Sequence, residues 1–122
     1  MRLQALKTVV TDALADIKAR DLKIIDVRGK TTITDMLVIA SGTSDTHVKA
    51  IAELIIVRAK ESGFYPLGFE GIQGGEWALI DLNDIVVHVM LPQVRDYYQL
   101  ERLWGSTSPP AEISEKRRIM TL

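Results

Sequence analysis

The chain has 122 residues, 47% of them apolar and 25% charged, which suits one soluble globular domain with a real core. Lys and Arg number 15 against 16 Asp and Glu, a formal net charge of -1, and that balance argues against a dedicated DNA or RNA binder. Cysteine is absent, which excludes disulfides, thiol catalysis and Cys-based zinc sites.

No run approaches the ~20 apolar residues of a membrane span. The N-terminus lacks the basic-then-apolar pattern of a secretion signal, so a cytoplasmic protein is expected.

Leu3, Leu6, Val10, Ala13, Leu14 and Ile17 recur at helical spacing. They predict an amphipathic helix from residue 2 to about residue 20, with Lys18 and Arg20 favouring its C-terminal end. Lys23–Val27 reads as a short strand, Gly29-Lys30 as a break and Thr31–Asp35 as a loop. Met36–Ala40 is apolar throughout and is expected to be a central strand covered on both faces.

Ser41-Gly42-Thr43-Ser44 closes that strand, and Ser44 suits the N-cap of a second helix with Asp45 in its first turn. Val48, Ile51, Ala52, Ile55 and Ala59 form its buried stripe, and Gly63 stops it. Pro66–Glu70 is expected to be an edge strand, because proline cannot donate to a ladder. Gly71 to Gly75 reads as a loop.

Trp77–Leu82 and Ile85–Leu91 flank Asn83-Asp84, a pattern that predicts a tight hairpin. Counting outward from the turn sets Leu82 against Ile85, Asp81 against Val86, Leu79 against His88 and Trp77 against Met90. Alternation then gives one aliphatic face of Ala78, Ile80, Leu82, Ile85, Val87 and Val89, which must be core. The other face carries Trp77, Leu79, Asp81, Val86, His88 and Met90. Its mixture of indole, thioether, acid and imidazole suits either helix cover with a polar fringe or a partner surface.

Pro92 suits the first turn of a final helix whose stripe is Val94, Tyr97, Leu100 and Trp104, ending at Gly105. Residues 106–122 hold few apolar side chains and are expected to form a flexible tail outside the domain of residues 1–105. The order is α-β-β-α-β-β-β-α. It predicts a single-domain α/β fold with a mixed sheet of about five strands and flanking helices.

Four features bear on chemistry. Ser41–Ser44 before a helix is a place where a phosphate is sometimes held, but it matches no phosphate-binding fingerprint, and capping needs the same residues. Asp81 with Asp84, and Asp26 and Asp35 at other strand ends, are a thin basis for a metal site, since Asp84 is a natural turn residue. His47 and His88 have no nucleophile beside them, so hydrogen-bonded structural histidines are expected. Tyr98 lies about 100° from Tyr97 on the helix and is expected to point outward. With Trp77 and Met90 it would make a patch rich in residues favoured at interfaces.

Several motifs in one order resemble the ribosomal silencing factor family, also called Iojap-like. They are Val27-Arg28-Gly29-Lys30, Ile33-Thr34-Asp35, Ile39 to Ser44, His47-Val48-Lys49, Pro66-Leu67-Gly68, Glu70-Gly71, Gly75-Glu76-Trp77, Asp81-Leu82, Asp84 to Met90 and Leu100 to Trp104. The likeness runs from about residue 5 to residue 105. Phe69 stands where a smaller aliphatic is common, and Asn83 where Gly is common.

The resemblance implies a fold similar to the nucleotidyltransferases, without that activity and without a cofactor. It implies a translation repressor that binds the large ribosomal subunit through its fourteenth protein. Joining with the small subunit would then be blocked sterically during starvation or stationary phase. It also implies homodimers for some members, and contact residues that match Trp77 and Tyr98. A protein target fits the near-neutral charge, since a factor gripping mainly RNA should be basic. The expected partner-binding set is therefore Trp77, Leu79, Asp81, His88, Met90 and Tyr98. The alternative is a nucleotidyltransferase-like, metal-dependent phosphoryl-transfer enzyme using Ser41–Ser44 for phosphate and Asp81 with Asp84 for metal.

Overall fold

The structure is a computed structural model that describes residues 2–98, with side chains as far as Tyr97. The expected tail 106–122 and the later part of the final helix, with Leu100 and Trp104, lie outside the described residues. The elements are α1 (Arg2–Asp16), β1 (Arg20–Asp26), β2 (Met36–Ser41), α2 (Asp45–Glu61), β3 (Gly68–Glu70), β4 (Trp77–Asp81), β5 (Ile85–Met90) and α3 (Pro92–Tyr98). The fold is α/β, with one five-stranded mixed sheet in the order β1-β2-β5-β4-β3.

Strand β5 is the centre. It runs parallel to β2 and antiparallel to β4, while β1 and β3 close the edges in antiparallel pairings. Leu67 extends the pairing of β3 by donating its N–H to the Asp81 carbonyl at 2.8 Å. Pro66 stays outside the ladder, so β3 begins at Gly68 rather than at Pro66. The hairpin register is the one obtained by counting: Trp77 opposes Met90, Leu79 opposes His88 and Asp81 opposes Val86. Its turn is centred on Asn83, whose φ is 72°, with the Asp84 N–H donating to the Leu82 carbonyl at 2.9 Å.

Both long helices lie on one face of the sheet. Leu6, Val10, Ala13 and Leu14 of α1 join Val48, Ile51, Ala52, Ile55 and Ala59 of α2 over the aliphatic strand face, and all are buried. Ser44 caps α2, its side chain accepting from the His47 N–H at 3.1 Å. Gly63, at φ 86°, ends α2, with the Phe64 N–H reaching the Ala59 carbonyl and the Gly63 N–H the Lys60 carbonyl.

Helix α1 stops at Asp16, four residues short of the expected end at about residue 20. Lys18 turns left-handed at φ 59°, and the Ala19 N–H returns to the Leu14 carbonyl at 2.9 Å. That closure frees Arg20 to start β1, three residues before the expected Lys23. The register of β1 against β2 shifts between Arg20 and Lys23, where Asp21 also has a positive φ of 51°.

The opposite sheet face holds a second core of Val27, Leu37, Ile39, Trp77, Leu79, Val86 and Met90, with Val94 of α3 packed against it. All six residues of β2 are buried, as expected for a strand covered on both sides. The mixed hairpin face is therefore not the open ledge that its composition allowed. Strand β2 adds Leu37 and Ile39 to it, and a face so apolar loses far more by hydration than a polar-fringed one.

Candidate functional site

Trp77 opens β4 beside the Gly71–Gly75 loop, and only 9% of it remains exposed. Its indole N–H donates to His88 Nδ1 at 2.8 Å, and the two rings sit 5.8 Å apart at a tilt of 44°. His88 is 5% exposed and hydrogen-bonded, in line with a structural histidine. Leu79 and Met90 are fully enclosed, so neither can touch a visitor to this chain as it stands. Asp81 is half-buried at the far end of β4, roughly 13 Å from Trp77 by strand rise. One of its oxygens accepts from the Asn83 N–H at 2.9 Å. The expected set thus splits between an enclosed core, a turn and one surface edge. The side chain of Tyr98 lies outside the described residues.

The surface edge is a groove of about 470 Å³ lined by Gly71, Gly74, Glu76, Trp77, Gln93, Val94 and Tyr97. Tyr97, expected on the buried stripe of α3, is instead 81% exposed. The rotation of α3 is set by Val94 and by Arg95, which is buried and donates to Ser41 Oγ at 3.0 Å. Two residues beyond Arg95 means a rotation of about 200°, which turns Tyr97 outward. Arg95 was missed because a charged residue interrupts an apolar stripe on paper.

The other wall is the loop before β4. Gly75 has a φ of 70°, and a Cβ there would lie 2.7 Å from the Asp45 Cβ and 2.8 Å from the Asp45 carbonyl oxygen. The loop is thereby seated on the first turn of α2, an approach that only glycine permits. The Leu91 N–H donates to the Glu76 carbonyl at 3.0 Å, which ties the start of α3 to the start of β4. Trp77, largely buried, lines the groove between this loop and α3. Such an arrangement presents an aromatic edge with little conformational entropy left to lose on binding.

The polar groups weighed for catalysis are engaged in holding the fold. Within Ser41–Ser44, Ser41 accepts from Arg95, the Thr43 N–H donates to His47 Nδ1 at 2.8 Å and Ser44 caps α2. Gly42 fits because a Cβ there would meet Val48 at 2.7 Å. His47 Nε2 lies 2.9 Å from the Ile17 carbonyl. Its Nδ1 accepts, so Nε2 carries the proton and ties α1 to the start of α2. Asp84 pairs with Arg2 at 2.9 Å. Asp26 pairs with Arg28, whose hydrogen bonds and charge hold the carboxyl down to about 2 and push the guanidinium up. Among the described residues no group of His, Asp and Glu is arranged to hold a metal.

A second groove of about 540 Å³ lies between α2 and β3, lined by Glu53, Ile56, Val57, Phe69, Glu70, Gly71, Ile72 and Gln73. Val57 and Phe69 are exposed there, and Leu67, just before β3, is exposed as well. Among the described residues no helix is long and apolar enough to cross a membrane.

Comparison with known proteins decides the family. The model of "Ribosomal silencing factor during starvation" matches residues 1–121. This chain belongs to the ribosomal silencing factor family. The match runs past Gly105, beyond the span of the individual motifs. The ribosomal silencing factor RsfS of Chromobacterium violaceum is 43% identical over 109 residues, covering 89% of each chain. A crystal structure of a protein from that organism superposes with a TM-score of 0.84 at 43% identity, covering 90% of this chain and 92% of the other. A mouse protein named for mitochondrial assembly of the ribosomal large subunit is 34% identical over 100 residues, which are 79% of this chain and 43% of that one. As a silencing factor the chain is a translation regulator associated with ribosomes.

Proposed function

We propose that this silencing factor is a cytoplasmic, non-enzymatic docking module that binds the large ribosomal subunit, mainly through its fourteenth protein, and blocks joining with the small subunit sterically during starvation or stationary phase. The observation that carries this reading is the groove lined by Trp77, Tyr97 and the Gly71–Gly75 loop. Rigid aromatic groups beside a concavity are what an interface anchor requires. The mouse relative's name points to the large subunit rather than the small one. A net charge of -1 favours a protein target over rRNA.

Trp77 and Tyr98 are the proposed contacts, while Leu79, His88 and Met90 support the surface from behind. Steric blocking needs no catalytic group. The phosphoryl-transfer alternative loses support because Ser41–Ser44 and the Asp81 and Asp84 carboxylates are already bonded within the fold. Self-association is part of the proposal, with the exposed strip of Val57, Leu67 and Phe69 as its apolar surface.

The test is co-sedimentation with purified subunits followed by a subunit-joining assay. The protein should travel with the large subunit alone and lower the yield of joined ribosomes. Binding to the small subunit, or joining unaffected by saturating protein, overturns the reading.

A further inference from the structure

We infer that His88 is a positioning residue for the docking groove, holding the Trp77 indole by its N–H so that one edge faces the incoming partner. The inference rests on the docking reading above and concerns a buried residue behind the groove.

Strand β5 otherwise reads Ile, Val, Val, Val and Met, and an imidazole in that row is costly unless it has a specific task. The ladder sets His88 opposite Leu79 and Trp77 opposite Met90, so imidazole and indole are diagonal neighbours on the second face. An indole has a single donor, Nε1–H, and it meets His88 Nδ1 at 2.8 Å. Nδ1 must therefore be the unprotonated nitrogen. The apolar residues that share this core with Trp77 are Val27, Leu37, Ile39, Leu79, Val86 and Met90. Without His88 the indole loses that 2.8 Å bond, and Trp77 also lines the groove. The ring would then present a different edge, or fill the concavity it now lines.

The experiment uses the full chain with His88→Leu, which keeps bulk and removes the acceptor, and His88→Asn, whose side-chain oxygen stands near the place of Nδ1. The indole N–H resonance of Trp77, assigned by its disappearance in Trp77→Phe, reports orientation and exchange with solvent. Co-sedimentation reports affinity for the large subunit. His88→Leu should shift that resonance, speed its exchange and weaken binding about tenfold, and His88→Asn should recover most of both. In a Trp77→Phe background His88→Leu should add nothing further, because the N–H is already gone. Should His88→Leu fail to fold, His88→Gln replaces it, since its acceptor sits beyond the Nδ1 position.

An unshifted indole resonance, full binding by His88→Leu, or losses that add in the double variant overturns the inference. If Trp77→Phe and Tyr98→Ala together leave binding intact while the resonance still moves, the docking reading fails and the positioning of the indole stands.

Discussion

Lys18 and Gly63 occupy the same place in two helix endings. Each is left-handed, at φ 59° and 86°, and each is followed by a residue whose N–H returns five positions to close the last turn. Glycine reaches that conformation without strain, whereas a Cβ makes it unfavourable. Lys18→Gly should therefore stabilise the protein by about 0.5–1 kcal/mol, and Gly63→Ala should destabilise it by about 1 kcal/mol. Urea unfolding measures both. Equal effects of one sign would mean that the endings are not equivalent.

Gly75→Ala acts on the groove through the fold. The new methyl would lie 2.7 Å from the Asp45 Cβ and 2.8 Å from its carbonyl oxygen, and the residue would also keep a φ of 70°. Loop and helix must part, at a cost of about 1–3 kcal/mol. Affinity for the large subunit should fall with it, since the loop is one wall of the groove. Full binding with the predicted loss of stability would show that this wall takes no part in docking.

The Asp26–Arg28 pair gives a pH prediction. Arg28 holds the folded Asp26 carboxyl down to about 2, below the ordinary 3.8. A group depressed in the folded state favours folding above its unfolded value, and that contribution fades as pH falls from about 4 to about 2. The pair is exposed, so screening keeps the effect small. Asp26→Asn should remove that small contribution at neutral pH, and its difference from the parent should fade as pH falls from about 4 to about 2. A difference that persists unchanged below about pH 2 would contradict the pairing.

Where sequence reading succeeded, the information was local. The Asn83-Asp84 turn fixes the register of the hairpin by counting, and Ser44 and Gly63 mark the ends of α2 by backbone chemistry alone. It missed where information was distant. The face of Trp77, Leu79, Val86, His88 and Met90 has the composition of a partner surface or of a core. Leu37 and Ile39 decide between them, and they reach that face only because β2 pairs with β5. Strand order is set by contacts far apart in the chain, which periodicity does not encode. Tyr97 was misplaced for a related reason. Its orientation follows from the bond between Arg95 and Ser41, residues 54 positions apart.

Two exposed side chains on different surfaces separate docking from self-association. Tyr97 is 81% exposed beside the Trp77 groove, and Phe69 is half exposed beyond α2. Neither supports much of the core, so Tyr97→Ala and Phe69→Ser should each change stability by no more than about 1 kcal/mol. Tyr97→Ala should weaken co-sedimentation with the large subunit by about 1–2 kcal/mol, the scale of an interface anchor. Phe69→Ser should leave that affinity alone and instead lower the average mass in light scattering of the concentrated free protein. The opposite pattern, with Phe69→Ser losing the subunit and Tyr97→Ala keeping it, would move the docking face to the far side of α2, because a side chain that buries little in the free protein reveals its partner only when binding is measured.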